Sequence, residues 1–244
     1  MGKDLSQFIR NEAFLGKVVS AEEAASWIED GMNLGMSGFT LFGEPKEFPL
    51  ALSKRGETED FKVNLYTGAS LGPTADQSMA EAGILNLRVP YQGNAVMRGK
   101  INAGEMFYID QHLSHVAEEV RKGNLGNIDY AIIEAAAITE EGYIIPTGSV
   151  GNSPIFVERA ENVIIELNTS APSAYEGIHD IYVLEDQGEN RREIHYMQQV
   201  SVSAQKVLKW ILQRLKVSYY LSNQIFRHRY LSQMKKRNKL RIIY

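Results

Sequence analysis

The sequence predicts an α/β fold, a layered and mostly parallel sheet flanked by helices. Three observations carry that expectation. Apolar, strand-like runs recur at residues 32–36, 63–66, 86–89, 106–109, 130–137 and 163–167. Helical stretches fall between them, near 45–55, 74–82, 112–122 and 153–160. The run 130–137 is apolar almost throughout, as a central strand covered on both faces requires. Strands separated by helices pair in parallel through right-handed crossovers.

The first helix is expected over 20–31, with Ser20 and Glu23 forming a capping box and Gly31 as its stop. The strand at 32–36 then runs into Ser37-Gly38-Phe39-Thr40 and on to Gly43-Glu44-Pro45-Lys46, with Pro45 placed to open the next helix. A small-residue turn between strand and helix brings backbone N–H groups to the mouth of an α/β sheet. The helix N-terminus adds unpaired donors and partial positive charge, which suits carboxylates and phosphates.

Composition narrows the chemistry. The chain has 244 residues, 44% hydrophobic and 23% charged, enough for one large domain or two small ones. It has no cysteine, which excludes a disulfide frame, a cysteine nucleophile and a thiolate metal site. No apolar run approaches membrane-spanning length, so no membrane role and a cytoplasmic location are expected.

Beyond the opening motif, ordered blocks continue through Tyr66-Thr67-Gly68-Ala69-Ser70, Arg88-Val89-Pro90-Tyr91-Gln92 and Lys100-Ile101-Asn102-Ala103-Gly104-Glu105. Further blocks are Asp110-Gln111-His112-Leu113-Ser114-His115-Val116, Ala136-Ala137-Ile138-Thr139-Glu140-Glu141-Gly142, Ser149-Val150-Gly151-Asn152 and Gly177-Ile178-His179-Asp180-Ile181-Tyr182. In order and approximate spacing, from Gly16 to Arg192, the chain resembles the amino-terminal domain of the acetyl-CoA hydrolase/transferase family. These are CoA-transferases of the succinyl-CoA:acetate and 4-hydroxybutyrate type.

That resemblance implies a two-domain enzyme that moves coenzyme A from an acyl-CoA to a free short carboxylate. It implies a CoA thioester as substrate, no tightly bound cofactor, no nucleic acid, and a homo-oligomer when intact. In the family a glutamate attacks the thioester, the two-step logic of covalent catalysis, and that glutamate lies in the carboxy-terminal half. None of Glu105, Glu118, Glu134, Glu140 or Glu141 matches its position. The expectation is therefore an amino-terminal fragment with no catalytic residue of its own, inactive without a companion domain. The alternative is a non-catalytic α/β domain that binds a carboxylate or a partner. An isomerase-like α/β protein is disfavoured, because it would leave the ordered blocks unexplained.

Residues 201–244 break from the rest. They hold 11 Lys/Arg and no Asp/Glu; taken from the totals of 26 and 30, this leaves 15 basic and 30 acidic residues in 1–200. Where the family continues with an Arg-Ile-Gly segment and a Pro-x-Lys-Ile helix, this text differs. Regrouping its codons by one base permits Arg-Ile-Gly-Ser-Lys-Gly-Ile-Lys-Val-Asp-Pro-Ala-Lys-Ile, in which the aspartate is forced by the Trp210–Ile211 codons. The domain expected is 1–200, followed by a basic, out-of-frame and poorly ordered tail over 201–244. The competing reading is a basic amphipathic helix over 206–220 that touches anionic lipid or nucleic acid.

Ser37, Gly38, Thr40 and Gly43 are candidates for a carboxylate-binding mouth through the family likeness, against a purely turn-forming role. Ser149, Gly151 and Asn152 form a second small-residue turn that either lines the pocket or caps the helix near Ser153. Lys46 reads as a solvated helix-surface lysine. His112 and His115 share a helical face, but no third ligand follows, so no metal site is expected; Asp110 reads as the cap of that helix. His179 and Asp180 read as a structural pair, Gly123 as a helix stop, and Met79, Met97 and Met106 as core. Exposed apolar surface is expected where a second domain would pack.

Overall fold

The computed structural model describes residues 4–179 and 181, together with the backbone of 215–220. Seven strands form one continuous path: β1 Asn33–Met36, β2 Val63–Tyr66, β3 Leu85–Val89, β4 Phe107–Tyr108, β5 Ile128–Ile138, β7 Ala160–Asn168 and β8 Leu215–Tyr220. Their order is β4-β3-β2-β1-β5-β7-β8, and every neighbouring pair on this path is parallel. A short strand off the path, β6 Ile144–Pro146, folds back antiparallel on the end of β5. The mostly parallel, helix-flanked sheet expected from the sequence is the fold observed.

Helices cover both faces: α1 Glu12–Leu15, α2 Ala21–Ala25, α3 Glu47–Gly56, α4 Ser78–Glu81, α5 Ala95–Asn102, α6 Leu113–Lys122 and α7 Ser153–Arg159. The two-residue period of the central strands divides the core. On β5, Ala131, Ile133 and Ala135 join Phe14, Val116, Val120 and Phe156 on one face. Tyr130 and Ile132 join Leu34, Met36, Phe48, Leu52, Met79 and Met97 on the other. The methionines Met79, Met97 and Met106 are all buried, as core fillers should be.

Several local expectations change in the fold. The helix expected over 20–31 ends at Ala25, and the Arg55 guanidinium donates to the Ala25 carbonyl at 2.7 Å and the Ile28 carbonyl at 2.6 Å just beyond it. The Ala25 carbonyl also accepts the Ile28 N–H at 3.2 Å, a three-residue turn instead of a further α-helical one, and Gly31, at φ 81, turns the chain into β1. The 74–82 helix opens with a π turn, Pro73–Gln77, where the Ser78 hydroxyl donates to the Thr74 carbonyl. Helix α6 is capped by His112 and not by Asp110, with the His112 ring accepting from the Ser114 N–H. Gly123 ends that helix in the left-handed region. Helix α5, capped by Asn94, and strand β6 were not anticipated. Within the alternative helix over 206–220, residues 215–220 are a strand paired with β7; residues 201–214 and 221–244 lie outside the described residues.

Candidate functional site

From β1 the chain winds outward through β2, β3 and β4, then returns to β5 on the opposite side of β1. The strand order therefore reverses between β1 and β5, and ligands of open α/β sheets bind beyond the carboxyl ends of strands at such a point. The loop after β1 holds Ser37, Gly38, Thr40 and Gly43. The β5–β6 hairpin sets Pro146 opposite Ala135, while Met36 lies beside Ile132. This return brings Ser149, Gly151 and Asn152 to the end of β1.

Contacts between the two loops are close. The Asn152 N–H donates to Ser37 Oγ at 2.8 Å, and the Asn152 side-chain amide donates to the Thr67 carbonyl at 3.4 Å. Asn152 stands at the N-cap of α7, but no side-chain capping bond forms there, so it ties β1 to β2 instead of closing the helix. A Cβ on Gly151 would lie 2.4 Å from Ser37 Oγ; one on Gly43, at φ 71, would lie 2.0 Å from the Ser149 carbonyl oxygen. Gly38 is buried against the Gly43–Glu44 backbone. Thr40 differs from the others. It is exposed, has φ 56, which is strained for a β-branched residue, and donates its N–H to the Ser70 carbonyl at 3.0 Å. Ser37, Gly38, Gly43, Ser149, Gly151 and Asn152 thus pack into one cluster beyond the ends of β1 and β2, and Thr40 is exposed beside it between the exposed Phe39 and Leu41.

A cluster of buried charges adjoins these loops. Lys46 is not a solvated surface lysine: its ammonium meets Glu134 Oε1 at 2.9 Å and the Glu44 carbonyl at 2.7 Å. Burial alone would push that ammonium down, but Glu134 and then Glu166 hold it above its ordinary value. Glu134 also accepts from Asn168 at 3.0 Å and from the Thr147 hydroxyl. Glu166, opposite Glu134 in the β5–β7 ladder, accepts the Lys46 N–H at 2.6 Å and the Phe48 N–H at 3.0 Å. It therefore caps α3, which starts at Glu47, two residues later than Pro45 would have it. The open helix N-terminus expected after this turn is in fact occupied, since Glu166 takes two of its donors and Pro49 has none. A buried ion pair, Asp76 with Arg88, completes the layer: both side chains are 0% exposed, with an N–O distance of 3.1 Å.

Sequence reasoning missed this layer, although a signal existed. Glu134 sits inside the run read as a strand covered on both faces, and Glu166 and Arg88 sit in other runs read as strands. A charge in such a run needs a buried partner.

Burial pushes the Glu44 carboxyl up to about 8 and the Glu166 carboxyl up to about 7. Both lie above the ordinary 4.5, so the folded state holds protons that the unfolded chain has released. Stability is expected to fall as pH rises from about 4.5 to about 8, by at most ~1.4 kcal/mol per pH unit for each group. Urea unfolding at pH 5, 6.5 and 8 checks the sign, and Glu166→Gln should flatten the profile between pH 5 and 7.

The His112 and His115 rings are tilted to one another by 59°, with centroids 5.9 Å apart. No group of three or more His, Cys, Asp or Glu residues suited to a metal occurs among the described residues. His179 Nε2 is 2.9 Å from the Thr147 carbonyl, which ties it to the same layer; Asp180 lies outside the described residues. No helix among the described residues is long and apolar enough to cross a membrane.

The acetyl-CoA hydrolase/transferase N-terminal domain matches residues 3–210. A succinyl-CoA:acetate CoA-transferase of Clostridium kluyveri is 50% identical over 180 residues, covering 73% of this chain and 34% of that protein. An acetyl-CoA hydrolase of Candida glabrata is 38% identical over 192 residues, covering 74% and 36%. The chain thus spans about a third of the length of the curated relatives it matches. Two solved structures share the fold. Glutaconate coenzyme A-transferase from Acidaminococcus fermentans has a TM-score of 0.53 at 15% identity, covering 62% of this chain and 67% of that one. RipA from Yersinia pestis has a TM-score of 0.54 at 21% identity, covering 70% and 40%. The chain belongs to the acetyl-CoA hydrolase/transferase family, whose N-terminal domain it carries.

Proposed function

We propose that this chain is the amino-terminal part of an acetyl-CoA hydrolase or acyl-CoA:carboxylate CoA-transferase that acts on acetate or another short acid in the cytoplasm. The observation that carries this reading is the family match over residues 3–210, together with two small-residue loops that meet at the sheet's switch point. Ser37, Gly38, Gly43, Ser149, Gly151 and Asn152 form the carboxylate side of the pocket, and Thr40 its rim. Glycines in these loops let a small acid approach the backbone closely. The Lys46–Glu134 pair is buried next to them and holds the 37–46 loop in place.

The nucleophilic glutamate and the CoA-binding loops belong to the remaining two thirds of the relatives' length, in a companion domain that closes over the cleft. Coenzyme A thioester is the substrate, with no tightly bound cofactor, and the intact enzyme is a homo-oligomer. The basic tail from about residue 201 is out-of-frame text, although the family match runs to residue 210 and residues 215–220 pair with β7; the DNA read one base over tests this. The exposed Phe39, Leu41 and Tyr91 support the companion domain, because they offer apolar surface at the cleft mouth. Exchange of labelled acetate into acetyl-CoA by the 244-residue chain alone is expected to stay at background. Turnover above background would refute the half-site reading.

A further inference from the structure

Within the buried charge layer, Glu44 stands apart. Its side chain is fully buried; Oε2 accepts the Gly72 N–H, while Oε1 meets no donor. A Cβ built on Gly72 would lie 2.2 Å from Glu44 Oε1 and 2.6 Å from the Leu41 Cδ2 methyl, so this oxygen is covered by Leu41 and the Gly72 backbone. Leu41 belongs to a tight turn in which Phe39 and Phe42 exchange backbone hydrogen bonds of 2.8 and 3.1 Å. That turn is otherwise pinned by the Thr40 N–H to the Ser70 carbonyl, two residues before Gly72. The 39–42 turn and the 70–72 segment therefore close over one carboxyl group.

We propose that Glu44 is a proton-dependent positioning residue: as a neutral acid it seats Leu41 and Gly72 together, and its ionisation releases the 39–42 turn from the 70–72 segment. The surrounding charges support this. On its own loop Lys46 is engaged by Glu134 of β5, and Glu166 of β7 is spent on the start of α3. From the π turn Asp76 faces the same space, paired with Arg88 of β3. The Gly72 N–H and Lys46 favour a negative charge on Glu44, Asp76 and Glu134 oppose it, and burial outweighs the two favourable groups. An ionised Glu44 then gains solvation only by admitting water beneath Leu41. Burial sets the transition at about pH 8. The shape of the cleft mouth thus responds to pH whatever reaction the cleft serves, so this inference stands apart from the enzymatic reading.

Amide hydrogen exchange on the full 244-residue chain between pH 6 and 9.5, corrected for intrinsic rates, tests the latch. Protection at Thr40, Phe42 and Gly72 is expected to fall about tenfold per pH unit above pH 8, while amides of β5 and β7 hold steady. In Glu44→Gln the same three amides should be flat with pH. A flat wild-type profile, or an equal fall in Glu44→Gln, overturns the proposal. Carbon-13 titration of the wild-type glutamate carboxyls decides the case if the variant does not fold. A Glu44 carboxyl carbon that titrates near pH 8 in step with the Gly72 amide supports the latch; titration in the ordinary range near pH 4.5 overturns it.

Discussion

Replacing Arg88 with Met is expected to destabilise the fold by about 3–5 kcal/mol, the usual cost of removing one partner of a buried ion pair. Arg88 and Asp76 are both 0% exposed, and Arg88 reaches further, donating to the Val89 carbonyl at 2.8 Å. Asp76 in turn accepts from the Leu71 N–H at 2.8 Å, which fixes the segment beside the cleft. Burial holds the Asp76 carboxyl above its ordinary range even with Arg88 beside it, so loss of the cation favours the protonated acid. The double variant Asp76→Asn, Arg88→Met should recover part of the loss, because an amide oxygen still accepts from Leu71. Urea unfolding at pH 7 measures both. A single-variant cost below about 1 kcal/mol would mean that the pair is not buried in solution.

The second large effect is expected at Gly43. Alanine there meets two obstacles at once, a left-handed backbone at φ 71 and the Ser149 carbonyl 2.0 Å from its Cβ. Gly83, at φ 67 with nothing within 4 Å of its Cβ, is a matched control for the backbone alone. Gly83→Ala should cost about 1 kcal/mol. Gly43→Ala should cost roughly 2–4 kcal/mol, since the 37–43 and 147–152 loops must part to admit the methyl group. Chemical denaturation of the two variants side by side gives the difference, and equal costs would show that the loops are not in contact.

The two turns that meet beyond β1 were legible because they are written in local chemistry. An apolar strand run followed by Ser37 and Gly38, and another small-residue turn at Ser149–Asn152, mark the ends of strands. The fold needs only the strand order to bring them together. The hairpin through β6 was not legible: Ile144 to Pro146 is too short to show a period, and its pairing with β5 is a tertiary fact. The same holds for Lys46. Its neighbours Glu44, Pro45 and Glu47 read as a polar helix start, and only the approach of β5 and β7 turns the side chain inward. At the helix limits Ala25 and Glu47, distant side chains, Arg55 and Glu166, bond backbone groups, and no local pattern in the sequence shows such partners.

The central claim is that this domain supplies one wall of an acyl-transfer cleft whose reactive carboxylate sits on a companion domain. Mixing the 244-residue chain with the separately produced carboxy-terminal part of the Clostridium kluyveri relative, then following CoA exchange between succinyl-CoA and acetate, tests it most directly. Turnover is expected from the mixture and from neither part alone, and it should be lost again with Gly43→Ala. A mixture that forms a stable complex yet shows no exchange would contradict the account, as would exchange by this chain unaided.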